Sequence, residues 1–236
     1  MSLLHTDRKP LQKICYFCGE PATSKEHVPP KCIFPEIKDV GIDYRKNIIT
    51  VPSCDKHNIE KSKDDSYLCL ILNTYIKNNQ VAQAQFHTKN MRAMRRDPTL
   101  LKNFNQVFQA NYDGNMTSVF TVDLPQFNSE IEAIARGLYF YHFHSQLNLP
   151  FFISTPDLID DSHPNANKIN NNIRNFDKDV SGVLAREPIQ GANHKIFNYQ
   201  FKFFNKTGEF LVRMTFYQGF TVIAYATTKM LMEKNS

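Results

Sequence analysis

The chain has 236 residues, room for one large domain or two small ones. Its balance of 42% hydrophobic and 22% charged residues is that of a globular protein and excludes a disordered or fibrous chain. A net charge of +5 is compatible with nucleic-acid binding without requiring it, and no apolar run is long enough for a membrane helix or a secretory signal, so a cytoplasmic protein is expected.

The charge is unevenly placed. Residues 1–65 carry eleven Lys/Arg against ten Asp/Glu, whereas Lys77 to Lys102 holds six basic residues and the single acid Asp97. The five cysteines, Cys15, Cys18, Cys32, Cys54 and Cys69, lie in the first third. An odd number in a chain without a signal argues for metal ligation plus buried thiols over a disulfide framework.

The segment to about Lys63 is rich in Pro, Cys and His and lacks helical periodicity. Cys15 and Cys18 are two residues apart, as are Cys54 and His57, and 36 positions separate Cys18 from Cys54. Each spacing lets a tight turn aim two ligands at one ion, and Gly19 suits the sharp turn after the first pair. Three thiolates and an imidazole form a closed tetrahedral zinc set, which is structural because no position is left for substrate. It would tie together a segment with too little apolar surface to hold itself. If Cys54 or His57 does not bind zinc, Cys32 is the first replacement.

Between these pairs stands Glu26-His27-Val28-Pro29-Pro30, with Asn47 ahead of the second pair and Asn58 and Lys61 after it. This combination resembles the HNH, or ββα-metal, endonucleases over about 50 residues. The resemblance implies His27 as the general base, Glu26 as an acidic metal ligand, Asn47 as the residue that steadies the base loop, and Asn58 as the last contact to the catalytic ion. Asn58 replaces a frequent His, and His57 replaces a more usual cysteine on zinc. A one-residue shift would instead make His57 catalytic and leave the zinc three protein ligands. Oxygen donors suit Mg²⁺ or Mn²⁺, and Lys61 could reach a phosphate. The implied module is a two-stranded hairpin, with His27 on its first strand and Ile48 to Val51 on its second, packed on a helix from about Asn58.

Apolar residues at 68, 71, 72, 75 and 76 predict a helix. A second helix is expected from Val81 to Arg96, stopped by Asp97-Pro98, and a third near Thr99. Lys89, Arg92, Arg95 and Arg96 recur at helical spacing and either follow a phosphate backbone or form a solvated face. Met116 to Leu124 reads as a strand. Ser129 to Glu132 reads as a capping box opening a helix that continues to about Leu147. His142 and His144, two apart on that helix, cannot share a face and are read as core or edge histidines. Ser162 to Asp177, rich in asparagine, reads as a loop. Phe197 to Phe203 alternates as a half-buried strand, Asn205 to Gly208 as a hairpin turn, and Phe210 to Tyr217 and Phe220 to Tyr225 as two further strands.

The expected class is therefore α+β: an N-terminal zinc-stapled ββα-metal module (10–65), a helical connector (66–110), and a mixed helix and antiparallel-sheet domain (116–236). The expected activity is DNA phosphodiester hydrolysis with structural Zn and catalytic Mg or Mn, in a restriction, phage-defence or mobile-element setting. The alternative is a catalytically silent zinc module that binds nucleic acid or protein. Residues beyond 116 carry no catalytic motif and are left with substrate recognition, homo-oligomer formation or binding of a regulatory partner.

Overall fold

A computed structural model describes residues 14–58, 62–98, 100, 107–112, 115–158 and 164–228. The fold is mixed α+β. Strands β1 (Ser24–Val28) and β2 (Ile49–Ser53) pair antiparallel, with Glu26 opposite Val51 and His27 opposite Thr50. A short helix α1 (Ile37–Val40) lies between them, and α2 (Asp55–Asn58) follows β2. The helical connector comprises α3 (Ser62–Thr74), α4 (Gln80–Gln85) and α5 (Met91–Arg96), the last two joined by a π-helical turn over Phe86–Asn90. A second hairpin, β3 (Val107–Tyr112) with β4 (Asn115–Phe120), precedes the long helix α6 (Leu124–Phe143). Beyond it come β5 (Phe151–Ser154), α7 (Ala166–Leu184), β6 (Gln190–Asn193), β7 (Phe197–Phe204), β8 (Glu209–Phe216) and β9 (Phe220–Ala226). The five strands form one antiparallel sheet in the order β5-β9-β8-β7-β6.

Most expected elements are present, and the departures have identifiable causes. The long helix does not open at Ser129. Asp123 caps it by accepting from the Gln126 amide at 3.1 Å, and Pro125 occupies a first-turn position that needs no amide donor. Glu132 instead pairs with Arg136 one turn on, at 2.6 Å. The helix stops at His144, which adopts the left-handed conformation, so it ends short of Leu147. The asparagine-rich segment is largely helical rather than a loop. Ile169, Ile173, Phe176, Val180 and Leu184 lie at helical spacing, and this stripe outweighs the poor propensity of the intervening asparagines. The strands β5 and β6 are four residues each and give too short a period to read. The helix expected near Thr99 falls outside the described residues.

The sheet has two apolar faces. Along β8, Phe210, Val212, Met214 and Phe216 enter the main core, while Leu211 packs with Ile223, Val180 and Leu184 beneath α7. Arg213, on the α7 side, donates to Asp177 at 3.0 Å. The main core continues through Ile131, Ile134 and Leu138 of α6 to Val28 and Val51 of the N-terminal hairpin and Leu68 and Leu72 of α3. One apolar cluster thus spans all three expected segments. Among the described residues, no helix is long and apolar enough to cross a membrane.

Several contacts hold the N-terminal hairpin and the segment connecting its strands against the rest. A Cβ added at Gly137 would stand 2.6 Å from Val28 Cγ2, so α6 and β1 approach as closely as glycine allows. Asn193 Nδ2 donates to the carbonyls of Tyr44 (2.6 Å) and Lys46 (3.2 Å). The buried Tyr217 hydroxyl donates to the Ile33 carbonyl. Gly137→Leu is expected to cost about 1–3 kcal/mol through overpacking, read as a lowered urea midpoint; an unchanged midpoint would show that β1 and α6 do not meet as described.

Candidate metal centre and hydrolytic site

The first ligand pair sits on a tight knuckle. The Gly19 amide returns to the Cys15 carbonyl at 3.0 Å with Gly19 at φ 81°, and the Cys15 amide donates to the Glu20 carbonyl at 2.7 Å. The Tyr16 amide donates to the Pro52 carbonyl at 2.9 Å, which fastens the knuckle to β2. The second pair lies where β2 runs into α2, with the His57 amide bonded to the Cys54 carbonyl at 3.1 Å. Thr23 Oγ1 donates to Asp55 Oδ1 at 2.6 Å and closes the same corner.

Cys15, Cys18, Cys54 and His57 therefore converge. Their ligand atoms all lie within 4.8 Å of one another. Cys18 Sγ is 3.7 Å from Cys54 Sγ, and His57 Nδ1 is 3.2 Å from Cys54 Sγ and 3.8 Å from Cys15 Sγ. Sulfurs about 2.3 Å from a tetrahedrally held zinc stand about 3.8 Å apart. The donor set and spacing thus fit a metal ion such as zinc. Desolvation, and then the adjoining Cys15 and Cys54 sulfurs, push the Cys18 thiol up to about 11, a crowding of thiols that a bound cation would relieve. The Phe17 ring stacks on His57 with centroids 4.5 Å apart, and the Arg136 guanidinium lies 5.3 Å from the centroid of the same Phe17 ring. The ligand ring is thereby held in place from α6.

The residues implied by the nuclease resemblance are placed as follows. Successive side chains of a strand face opposite ways. Glu26 turns inward with Val28 and is 5% exposed, whereas His27 is half-buried on the other face. Burial, then the positive charges of Lys31 and Arg45, hold the His27 pKa below its ordinary value. Asn58 ends α2, and its amide nitrogen donates to Ser24 Oγ at 2.8 Å and to the Lys25 carbonyl at 3.4 Å. Its amide oxygen stays uncommitted among the described residues. Asn47 is exposed at φ 57° and lines a small cleft with Val28, Pro29, Ile49 and Asn193. The fold thus brings Asn58 to the start of β1 and Asn47 to its end, while Glu26 and His27 take opposite faces.

Of the expected phosphate contacts, Lys61 lies outside the described residues. Arg92 is committed to Asp39, its two terminal nitrogens donating to the two carboxylate oxygens at 2.8 and 2.6 Å. Arg95 and Arg96 are exposed at the end of α5. Cys32 is no part of the ligand cluster, since its thiol donates to the Asp65 carbonyl at 3.2 Å. His142 binds the Tyr199 hydroxyl at 2.8 Å, an edge histidine as expected.

Some neighbours carry no sequence motif of their own. Ser24 orients Asn58, and Arg45 charges the surroundings of His27 while its Nε donates to the Phe34 carbonyl at 3.0 Å. The run Arg45-Lys46-Asn47 is a usable signal for the second; nothing in the sequence marks Ser24. No protein-family model matches the chain, and neither a curated protein nor a solved structure matches it.

Proposed function

We propose that this chain is a metal-dependent HNH-type endonuclease that hydrolyses phosphodiester bonds in DNA. The observation that carries the reading is a hairpin bearing Glu26-His27, closed at its base by a set of three cysteines and one histidine and flanked by Asn58. In this reading the cysteine-histidine set holds a structural zinc, because four protein ligands leave no open coordination position. Glu26 and the Asn58 amide oxygen are the donors offered to a catalytic Mg²⁺ or Mn²⁺. Such an ion would bind the scissile phosphate and offset charge on the departing oxygen.

His27 takes the proton of the attacking water. Its depressed pKa keeps the imidazole neutral at pH 7 and so able to accept that proton. Asn47 steadies the loop that follows the base, and the Asn193 bonds to Tyr44 and Lys46 support the same loop from the C-terminal sheet. The test is nicking of supercoiled plasmid by the zinc-loaded protein with Mg²⁺ or Mn²⁺, abolished by chelation. Failure to nick with either ion would overturn the reading.

DNA contact is assigned to Arg95 and Arg96 rather than to the ion-paired Arg92. Each phosphate contact contributes about 0.9 to the slope of log affinity against log salt. Arg95→Ala with Arg96→Ala is expected to reduce that slope by roughly 2 in fluorescence anisotropy titrations. An unchanged slope would make these two residues a solvated face.

One observation favours a second reading. Glu26 is buried toward the core, which suits a zinc module that grips nucleic acid or protein without cutting. DNA retention with no cleavage would select it.

A further inference from the structure

A second thiol site lies away from the zinc-type cluster, where the turn after β1 meets α3 and the π-helical turn. The Cys69 thiol is 4% exposed and donates to the Cys32 carbonyl at 3.2 Å. It accepts from Gln85 Nε2 at 3.2 Å and from Asn73 Nδ2 at 3.4 Å. Lys89 Nζ is fixed on the same Cys32 carbonyl at 2.8 Å. The Cys32 thiol reaches back to the carbonyl of Asp65, one helical turn before Cys69. Each thiol thus lies against the backbone of the other's segment.

A cavity of about 40 Å³ lies beside them, lined by Cys32, Cys69, Ser66, Lys89 and Asn90 and otherwise by apolar residues such as Leu70 and Met94. One water needs about 10–15 Å³, and hydrogen peroxide is little larger. Asn90 is 4% exposed, and its Nδ2 finds no partner among the described residues, so it offers a donor to a small oxygen ligand in the cavity. Cys32 is half-buried at the cavity's rim.

We propose that Cys69 and Cys32 form a peroxide-reactive thiol pair, with Cys69 as the attacking sulfur and Cys32 as the resolving one. The Cys69 thiol gives up the proton it donates to the Cys32 carbonyl, and its sulfur attacks one oxygen of hydrogen peroxide; the O–O bond breaks, and the departing hydroxide takes up that proton as water, leaving sulfenic acid on Cys69. The Cys32 sulfur then attacks the sulfenic sulfur, the S–OH bond breaks, and water departs with the Cys32 proton. Two thiols are oxidised by two electrons and one peroxide is reduced. Two amide donors on the Cys69 sulfur, with the Lys89 ammonium on the adjoining Cys32 carbonyl, favour its thiolate. In agreement, the Cys69 pKa lies below its ordinary value, chiefly through the Cys32 thiol and then Lys89, against the effect of burial. Cys32 is held well above its own by the Cys69 sulfur and burial, and so keeps its proton until it resolves. The pair is independent of the nuclease reading.

The test treats the zinc-loaded 236-residue chain with one equivalent of hydrogen peroxide, blocks free thiols with N-ethylmaleimide, and maps the digest by mass spectrometry. A Cys32–Cys69 linked peptide is expected before zinc release and before oxidation of Cys15, Cys18 or Cys54. In Cys32→Ser, dimedone is expected to trap a sulfenic acid at Cys69, and Lys89→Met is expected to slow linkage several-fold in otherwise unaltered sequence. Cys69 left unmodified while the other thiols oxidise, or reacting no faster than in the urea-unfolded chain, would overturn the proposal.

Discussion

Cys54→Ser is expected to abolish stoichiometric zinc and to melt the N-terminal hairpin, with a broadened and strongly lowered thermal transition by circular dichroism. Cys54 is central because its sulfur is 3.7 Å from Cys18 Sγ and 3.2 Å from His57 Nδ1, so both halves of the cluster meet at it. Structural zinc in small modules contributes about 10–16 kcal/mol of apparent binding energy at pH 7. Whole domains are stable by only about 5–15 kcal/mol. If the Cys54→Ser chain no longer holds zinc, it loses an amount comparable with the entire stability. The damage should not stay local, because Cys15, Tyr16, Val28 and Val51 belong to the main core shared with α3, α6 and the sheet. Cys32→Ser is the matched control: its thiol bonds to Asp65 and lies outside the cluster, so about one zinc per chain is expected to remain by elemental analysis. Full zinc and an unchanged transition in Cys54→Ser would refute the assignment of the three cysteines and His57 to one zinc.

His27→Ala is expected to lower plasmid cleavage by about 10²–10⁴-fold, the usual contribution of a positioned general base. Folding should be almost unaffected, since the side chain is half-buried and points away from the core. The pH dependence has a fixed sign. Burial, with Lys31 and Arg45, holds the His27 pKa below the ordinary 6.5. Cleavage should therefore stay level through pH 7 and fall only below pH 6.5, as the imidazole gains its proton. The stability linkage follows the same direction: the folded chain binds this proton less readily than the unfolded one. The contribution is complete above 6.5 and is lost as pH falls through the lower folded value. An acid limb above 6.5 would contradict the described surroundings of His27.

The zinc-type cluster was legible because ligand spacing is a local property. Two turns that each aim two ligands leave few arrangements other than convergence, and Cys15, Cys18, Cys54 and His57 do converge. The hairpin was expected from the nuclease resemblance, and β-branched Ile48 to Val51 fitted its second strand. Strong periods also survived: Phe197 to Phe203 became β7, and Val81 to Arg96 became α4, the π-helical turn and α5. Asn79 opens that run by capping two amides with its side-chain oxygen, while its nitrogen binds the Lys195 carbonyl at 2.7 Å. No local pattern announces such a double role.

Much of what was missed depends on distant partners, and the rest on competing local signals. The helical stripe of α7 counts only because β8 and β9 offer Leu211 and Ile223 to receive it. The start of α6 lies in Asp123 and Pro125, and the capping-box pattern at Ser129 to Glu132 competes with them on the page of the sequence. Arg92 has the spacing of a phosphate contact, but Asp39, 53 positions away, occupies it. The Cys32–Cys69 site could not be read at all, since the lysine and amides that surround it come from three separate turns of the chain.

The proposed role of His27 is to activate water for phosphodiester cleavage. The most direct measurement is single-turnover cleavage of supercoiled plasmid with Mg²⁺ or Mn²⁺, comparing zinc-loaded wild type with His27→Ala at matched zinc content and thermal stability. Nicking by wild type is expected, with its loss on chelation and a drop of about 10²–10⁴-fold in the variant. Equal cleavage by the two proteins would contradict it.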